Sequence, residues 1–183
     1  MHPNRVSVVG SSGVGKSTFA DRLAGILDVR HVELDAIHHL PGWEPMPRDE
    51  FRQRISDVIT AGGGWVIDGN YQSKVQDLIW DAADTVVFID LPRRTYFPSL
   101  MCRTLRRVAC SEELWNGNRE RWRNLLDRRP EENILVWSWT TFGSIRARYL
   151  ASMEDPRWAH LTFVHLKSRR QMEEWLARPV TTR

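Results

Sequence analysis

Hydrophobic positions along the chain follow two alternating rhythms. Short β-branched runs, Arg5–Gly10 (RVSVVG), Trp65–Asp68 (WVID) and Thr85–Asp90 (TVVFID), lack a polar face, as strands buried on both sides do. Between them the period lengthens to that of a helix. Over Lys16–Leu27, Phe19, Leu23, Ile26 and Leu27 share one side; over Arg48–Ala61, Phe51, Ile55, Val58 and Ile59 do. The second helix stops at Gly62–Gly64, a strong C-terminal signal. The pattern also predicts a strand over Arg30–Leu34 ending in Asp35, a Pro/Gly-rich loop over His38–Pro47 and a helix over Ser73–Ala83. A helical run from Arg94 to Val108 carries Pro98, which predicts a break or a late start. A polar segment with tryptophans follows, Cys110–Asn124. A long helix over Glu131–Met153, interrupted near Gly143, a strand over Leu161–Leu166 and a helix over Arg169–Ala177 complete the chain. Strands alternating with helices predict a five-stranded parallel sheet covered on both faces, in one domain over residues 1–183.

Composition supports a packed core: 183 residues, 42% of them hydrophobic, with nine tryptophans that read as core or lid packing. No run approaches the roughly 20 apolar residues that span a bilayer. The first strand begins too early for a secretory signal to precede it, and the two cysteines, Cys102 and Cys110, form no disulfide framework or zinc-like cluster. The expectation is a cytoplasmic protein with reduced thiols and no membrane partner. Formal net charge is only +3, but between Arg93 and Arg129 lie ten arginines, no lysine and four acids. A guanidinium offers a planar fork of donors suited to phosphate oxygens.

The chemistry is clearest at GSSGVGKST, Gly10–Thr18, which directly follows the first strand. It fits G-x-x-x-x-G-K-[S/T] through Gly10, Gly15, Lys16 and Ser17. The glycines let the backbone turn tightly and aim successive N–H groups at one point, and the helix that follows adds its positive dipole end. Gly10, Ser11, Gly13, Val14, Gly15, Lys16, Ser17 and Thr18 are therefore the expected triphosphate-binding set. Lys16 would reach the outer phosphates, Ser17 would ligate Mg²⁺, and Thr18 would lie nearer the α-phosphate.

Parallel sheets bind ligands beyond the carboxyl ends of their strands. Three carboxylates stand there: Asp35, Asp68 and Asp90. Asp68, before Gly69, reads as a water-mediated Mg²⁺ partner or a turn cap. Asp35 reads as a base or acceptor contact, or as a plain helix cap. Asp90, before Leu91 and Pro92, reads as a turn residue. His38 and His39 read as surface residues beside the loop, with metal binding as the alternative.

The P-loop, the DG after the third strand and FIDLP after the fourth resemble the adenylate-kinase-like branch of small P-loop kinases. The combination ELDAIHH, GW, WVIDGNY and VVFIDLP is closer still to the bacterial DNA topology modulation proteins, over roughly Arg5 to Tyr149. The resemblance implies a three-layer α/β/α P-loop fold of the nucleoside-monophosphate-kinase kind with an arginine-rich lid. It places an acceptor-binding region at about 35–62 and a lid at about 108–124. By similarity Arg103 would stack on adenine, and Arg107, with Arg106 as substitute, would approach the phosphates. Arg119 and Arg123 would close over the transferred phosphoryl. Of the R-x-R pair Arg146 and Arg148, the latter is the better match.

Departures matter as much. Adenylate kinases carry DG-F/Y-P-R after the third strand, and this chain has DGNYQSK, with Tyr71, Gln72 and Lys74. Lys74 is a point charge where the family has a fork. The segment after the second strand offers Asp35, His38, His39 and Trp43 in place of the family's threonine and arginine. AMP is thereby disfavoured as acceptor, and a hydroxyl compound or another nucleotide is favoured. The expected activity is transfer of the γ-phosphoryl of Mg·ATP to a small molecule, with Lys16, Asp35, Arg107, Arg119 and Arg148 as its catalytic set. The competing readings are a nucleic-acid-binding P-loop ATPase and a nucleotide-dependent switch. Nucleic-acid surfaces mix lysine with arginine and add a reading element, and neither is visible.

Overall fold

The computed structural model describes residues 3–120, 122–127, 129 and 133–177. Five strands, β1 (Arg5–Gly10), β2 (Arg30–Glu33), β3 (Trp65–Asp68), β4 (Thr85–Ile89) and β5 (Thr162–Leu166), form one sheet in the order β2-β3-β1-β4-β5. Every pairing is parallel. Among the described residues eight α-helices connect and flank them: α1 (Lys16–Leu27), α2 (Leu34–His38), α3 (Arg48–Thr60), α4 (Gln72–Ala82), α5 (Arg93–Ala109), α6 (Trp122–Leu126), α7 (Ile134–Glu154) and α8 (Arg169–Leu176).

Strand alternation creates the layers. In β4, Val86 and Phe88 face one core and Val87 and Ile89 face the other. The first core takes Phe51 and Ile55 from α3, Val75, Ile79 and Trp80 from α4, and Tyr149 from α7. The second takes Phe19 and Leu23 from α1, Tyr96 and Leu100 from α5, and Leu176 from α8. The chain is thus an α/β/α sandwich around a five-stranded parallel sheet, as its alternating pattern predicts.

Local departures have physical reasons. Leu34 and Asp35 begin α2 instead of ending β2. Pro98 does not break α5: it is the sixth helical residue and removes one N–H, while Tyr96, Leu100, Thr104 and Val108 hold one buried face on both sides of it. Gly143 likewise leaves α7 continuous. The predicted start of that helix at Glu131 lies outside the described residues, as does Arg121 of the lid segment.

Gly10 shows how tightly the sheet sets up the loop that follows. Its φ is +147°, and a Cβ there would lie 2.3 Å from the Ile89 carbonyl oxygen in the adjacent strand. Backbone cannot yield as a side-chain tip can. Gly10→Ala should therefore destabilise by about 3 kcal/mol, lowering the melting temperature by about 10 °C in differential scanning calorimetry.

Candidate active site

The carboxyl ends of β1, β2 and β3 deliver polar groups to one edge of the sheet, where a cleft of about 1890 Å³ opens. β1 runs into the glycine loop, and α1 starts from Gly15 in a left-handed conformation, φ 96° and ψ 25°. Lys16 caps the loop: its Nζ donates to the Ser11 carbonyl at 3.1 Å. Burial holds the Lys16 ammonium below its usual pKa; the Asp68 and Asp35 carboxylates oppose this and Arg103 adds to it.

Ser17 Oγ donates to Asp68 Oδ2 at 2.7 Å, and His31 Nε2 meets Asp68 Oδ1 at 3.0 Å. Both carboxylate oxygens are thereby held, on a residue only 4% exposed. Burial pulls the His31 pKa down, but the hydrogen bond and charge of Asp68 outweigh it, so the net displacement is upward. Glu33 stands opposite Asp68 in the β2–β3 register, and its carboxyl pKa is raised by burial and by Asp68. Asn70, two residues on, braces the loop from below. Its Nδ2 donates to the Gly10 carbonyl at 2.6 Å, while its Oδ1 accepts from the Gly10 N–H at 3.2 Å and from Tyr149 Oη at 3.0 Å.

Across the cleft, Tyr71 Oη donates to Asp35 Oδ1 at 2.7 Å and lies 3.2 Å from His39 Nε2. Burial and the Asp35 charge raise the Tyr71 pKa, so the phenol keeps its proton. Lys74 Nζ meets His38 Nε2 at 3.1 Å. Both histidines line the cleft, and His38 is buried, correcting the expectation of a surface pair.

The segment 108–124 lies across this acceptor side. Trp115 Nε1 donates to Glu33 Oε2 at 3.1 Å. Asn116 Nδ2 donates to the Ala36 and His39 carbonyls at 3.0 and 2.6 Å. Asn118 Nδ2 donates to the Leu40 carbonyl at 3.0 Å, and its Oδ1 accepts from the Trp43 N–H at 2.9 Å. Trp43 Nε1 donates to the Arg119 carbonyl at 3.2 Å. Asn116 and Trp43 make this seam from left-handed backbone, with φ of 58° and 64°.

The cleft walls include Gly13, Gly15, Lys16, Ser17, Thr18, Asp35, Arg103, Arg107, Arg119 and Arg123; Ser11 and Val14 are buried behind the loop. Arg103 is an electrostatic neighbour of Lys16 and Asp35. One helical turn earlier, Ser99 accepts from Arg169 of α8 at 3.2 Å. Arg107 approaches Glu112 and Glu120, and Arg119 pairs with Glu113.

Arg148 is not on the cleft wall; it bonds Gln72. Arg146 bonds both oxygens of Asp90 at 3.0 Å. The turn of α7 that meets the loop carries Ser138, whose Oγ donates to the Ser12 carbonyl at 3.4 Å. Arg146 and Arg148 follow eight and ten residues later, about 12–15 Å along the helix. Asp90 is more than a turn residue: it is buried and also meets His165 Nε2 at 2.9 Å.

His31, Asn70, Tyr71, Trp115 and Glu120 were not singled out by sequence reasoning as site residues. For Asn70 and Tyr71 the signal was their place directly after Asp68-Gly69; for His31 it was the strand neighbouring that of Asp68.

No family model and no curated protein matches this chain. Solved structures do share its fold. A shikimate kinase from Bacteroides thetaiotaomicron is 14% identical with a TM-score of 0.53, over 97% of this chain and 96% of that one. A gluconokinase from Sinorhizobium meliloti 1021 is 20% identical with a TM-score of 0.50, over 96% and 93%. At these identities the likeness is one of fold. The resemblance to the DNA topology modulation proteins rests on the sequence motifs alone. No helix among the described residues is long and apolar enough to cross a membrane.

Proposed function

We propose that this protein is a phosphotransferase that moves the γ-phosphoryl of Mg·ATP to a hydroxyl of a small molecule. The observation that carries the reading is one cleft lined by Lys16, Ser17 and Asp35, with Asp68 bonded to Ser17. The structural likeness to two small-molecule kinases agrees with it.

The loop amides and Lys16 would bind the β- and γ-phosphates. Ser17 and Asp68 are hard oxygen donors already 2.7 Å apart, and they fit a magnesium ion that arrives with the nucleotide, Ser17 directly and Asp68 through water. The metal's contribution is to neutralise charge on the phosphoryl oxygens. In the reaction the acceptor oxygen bonds to the γ-phosphorus, the bond from that phosphorus to the β,γ-bridging oxygen breaks, and ADP leaves. Asp35 takes the hydroxyl proton. Arg103, beside Lys16, would face the charge that spreads over the transferring group.

Among the described residues, part of the arginine-rich segment is already neutralised. Arg106, Arg107 and Arg119 are matched to Glu112, Glu113 and Glu120. This supports a small-molecule kinase over a nucleic-acid-binding ATPase. Calorimetry with Mg·ATP, followed by ADP release against sugars, sugar acids, nucleosides and nucleotides, tests it. The expected result is saturable nucleotide binding at micromolar to millimolar concentration and ADP release that depends on one acceptor class. Folded protein that takes up neither Mg·ATP nor Mg·GTP refutes it.

A further inference from the structure

Resting on that reading, we infer that the acceptor is a small hydroxylated monocarboxylic acid, its carboxylate held by Lys74 while Asp35 takes its reacting hydroxyl. Lys74 lines the acceptor side of the cleft, and its ammonium makes one side-chain hydrogen bond, to His38 Nε2 at 3.1 Å. Among the described residues no carboxylate stands in ion-pair range of it, whereas Arg52 and Arg119 each have one and Arg107 has two.

His38 does not supply the missing negative charge. It is 5% exposed, and burial followed by the charge of Lys74 holds its pKa at about 4, so near pH 7 the ring is neutral. An ammonium can only donate; therefore His38 Nε2 is the accepting nitrogen and the ring proton is on Nδ1. Lys74 is thus a whole positive charge beside a neutral companion, with two N–H groups left to give. That arrangement favours one anionic group over a neutral hydroxyl.

It does not favour a phosphate. A dianion at Lys74 would meet a point charge, since the guanidinium forks of Arg107 and Arg119 are already matched to Glu112, Glu120 and Glu113 and Arg103 neighbours Lys16, and it would share the cleft with the carboxylates of Asp35 and Glu33. The span is also short. Tyr71 touches both ends: its hydroxyl donates to Asp35, and its ring centroid is 4.4 Å from that of His38. Because the Tyr71 proton goes to Asp35, the contact to His39 Nε2 needs a proton on that nitrogen, which leaves the His39 Nδ1 lone pair partnerless. The wall between the two ends is polar, lined by His38, His39 and Tyr71, as a hydroxylated chain or ring requires.

Matched pairs separate charge from shape. Sugar alcohols and the aldonic acids of the same carbon number, with a nucleoside monophosphate alongside, would be titrated into protein saturated with Mg·ADP. The acids should bind at least tenfold more tightly than their alcohols. Lys74→Met should remove that preference and Lys74→Arg should keep part of it, with Mg·ATP binding reporting an intact fold. Equal binding of acid and alcohol, a monophosphate tighter than every acid, no binding by any acid, or a preference that survives Lys74→Met overturns the inference. The wild-type titrations decide the charge even where a variant does not fold. If Mg·ATP binds and an uncharged alcohol is phosphorylated as readily as its acid, the kinase reading stands and this inference fails. If Mg·ATP does not bind, the kinase reading itself fails.

Discussion

Lys16→Ala should lose about three orders of magnitude in kcat and keep its fold. Phosphoryl transfer depends on positioned charge more than on a covalent catalyst, and removing one such charge typically costs 10²- to 10³-fold or more. Lys16 contributes little to the folded state in return. Its one hydrogen bond is to the Ser11 carbonyl, and burial already disfavours its charged form. The melting temperature should therefore stay level or rise while turnover collapses, the signature of a residue kept for function at some cost in stability. A coupled ADP-release assay and a thermal melt on the same preparation check both halves. A variant within threefold of wild-type turnover removes Lys16 from the chemistry.

Asp35→Asn should lower kcat by about 10²- to 10³-fold and leave the affinity for Mg·ATP within about twofold. The substitution conserves shape. Tyr71 can still donate to the amide oxygen, so the wall formed by Tyr71, His38 and His39 should persist. What disappears is a group able to take a proton. The loss should fall on kcat and not on the nucleotide term, which separates a base from a mere helix cap. A normal kcat with a raised acceptor KM would make Asp35 a binding residue only.

The fold was legible where its cause is local. Buried strands show as β-branched runs, and the glycine loop shows because tight turning and close approach admit few other residues: a Cβ at Gly10 would strike the neighbouring strand. Helix continuity was less legible. Pro98 and Gly143 lower intrinsic helicity, yet α5 and α7 run through them because their buried faces outweigh that local cost.

The placement of candidate residues was legible where the chain itself brings groups together. Lys16 and Ser17 adjoin the loop, Asp68 ends β3, and Asp35 opens α2 two residues after β2. Arg148 lies off the cleft wall, on Gln72, because which turn of a 21-residue helix meets the loop is set by packing, here Ser138 against Ser12 and Tyr96. His38 and His39 looked exposed beside a Pro/Gly loop. They are enclosed because residues more than 70 positions away, Asn116 and Asn118, bond the backbone carbonyls of Ala36, His39 and Leu40. Nothing in the intervening spacing announces that contact.

That seam has a kinetic meaning. On the kinase reading, a compound lodged between Asp35 and Lys74 would leave past the asparagine amides and two indoles of this seam. If those bonds must part first, turnover would be timed by escape and not by bond-breaking at phosphorus. The tempo of the protein would be written in Asn116 and Asn118, which touch none of the reacting atoms.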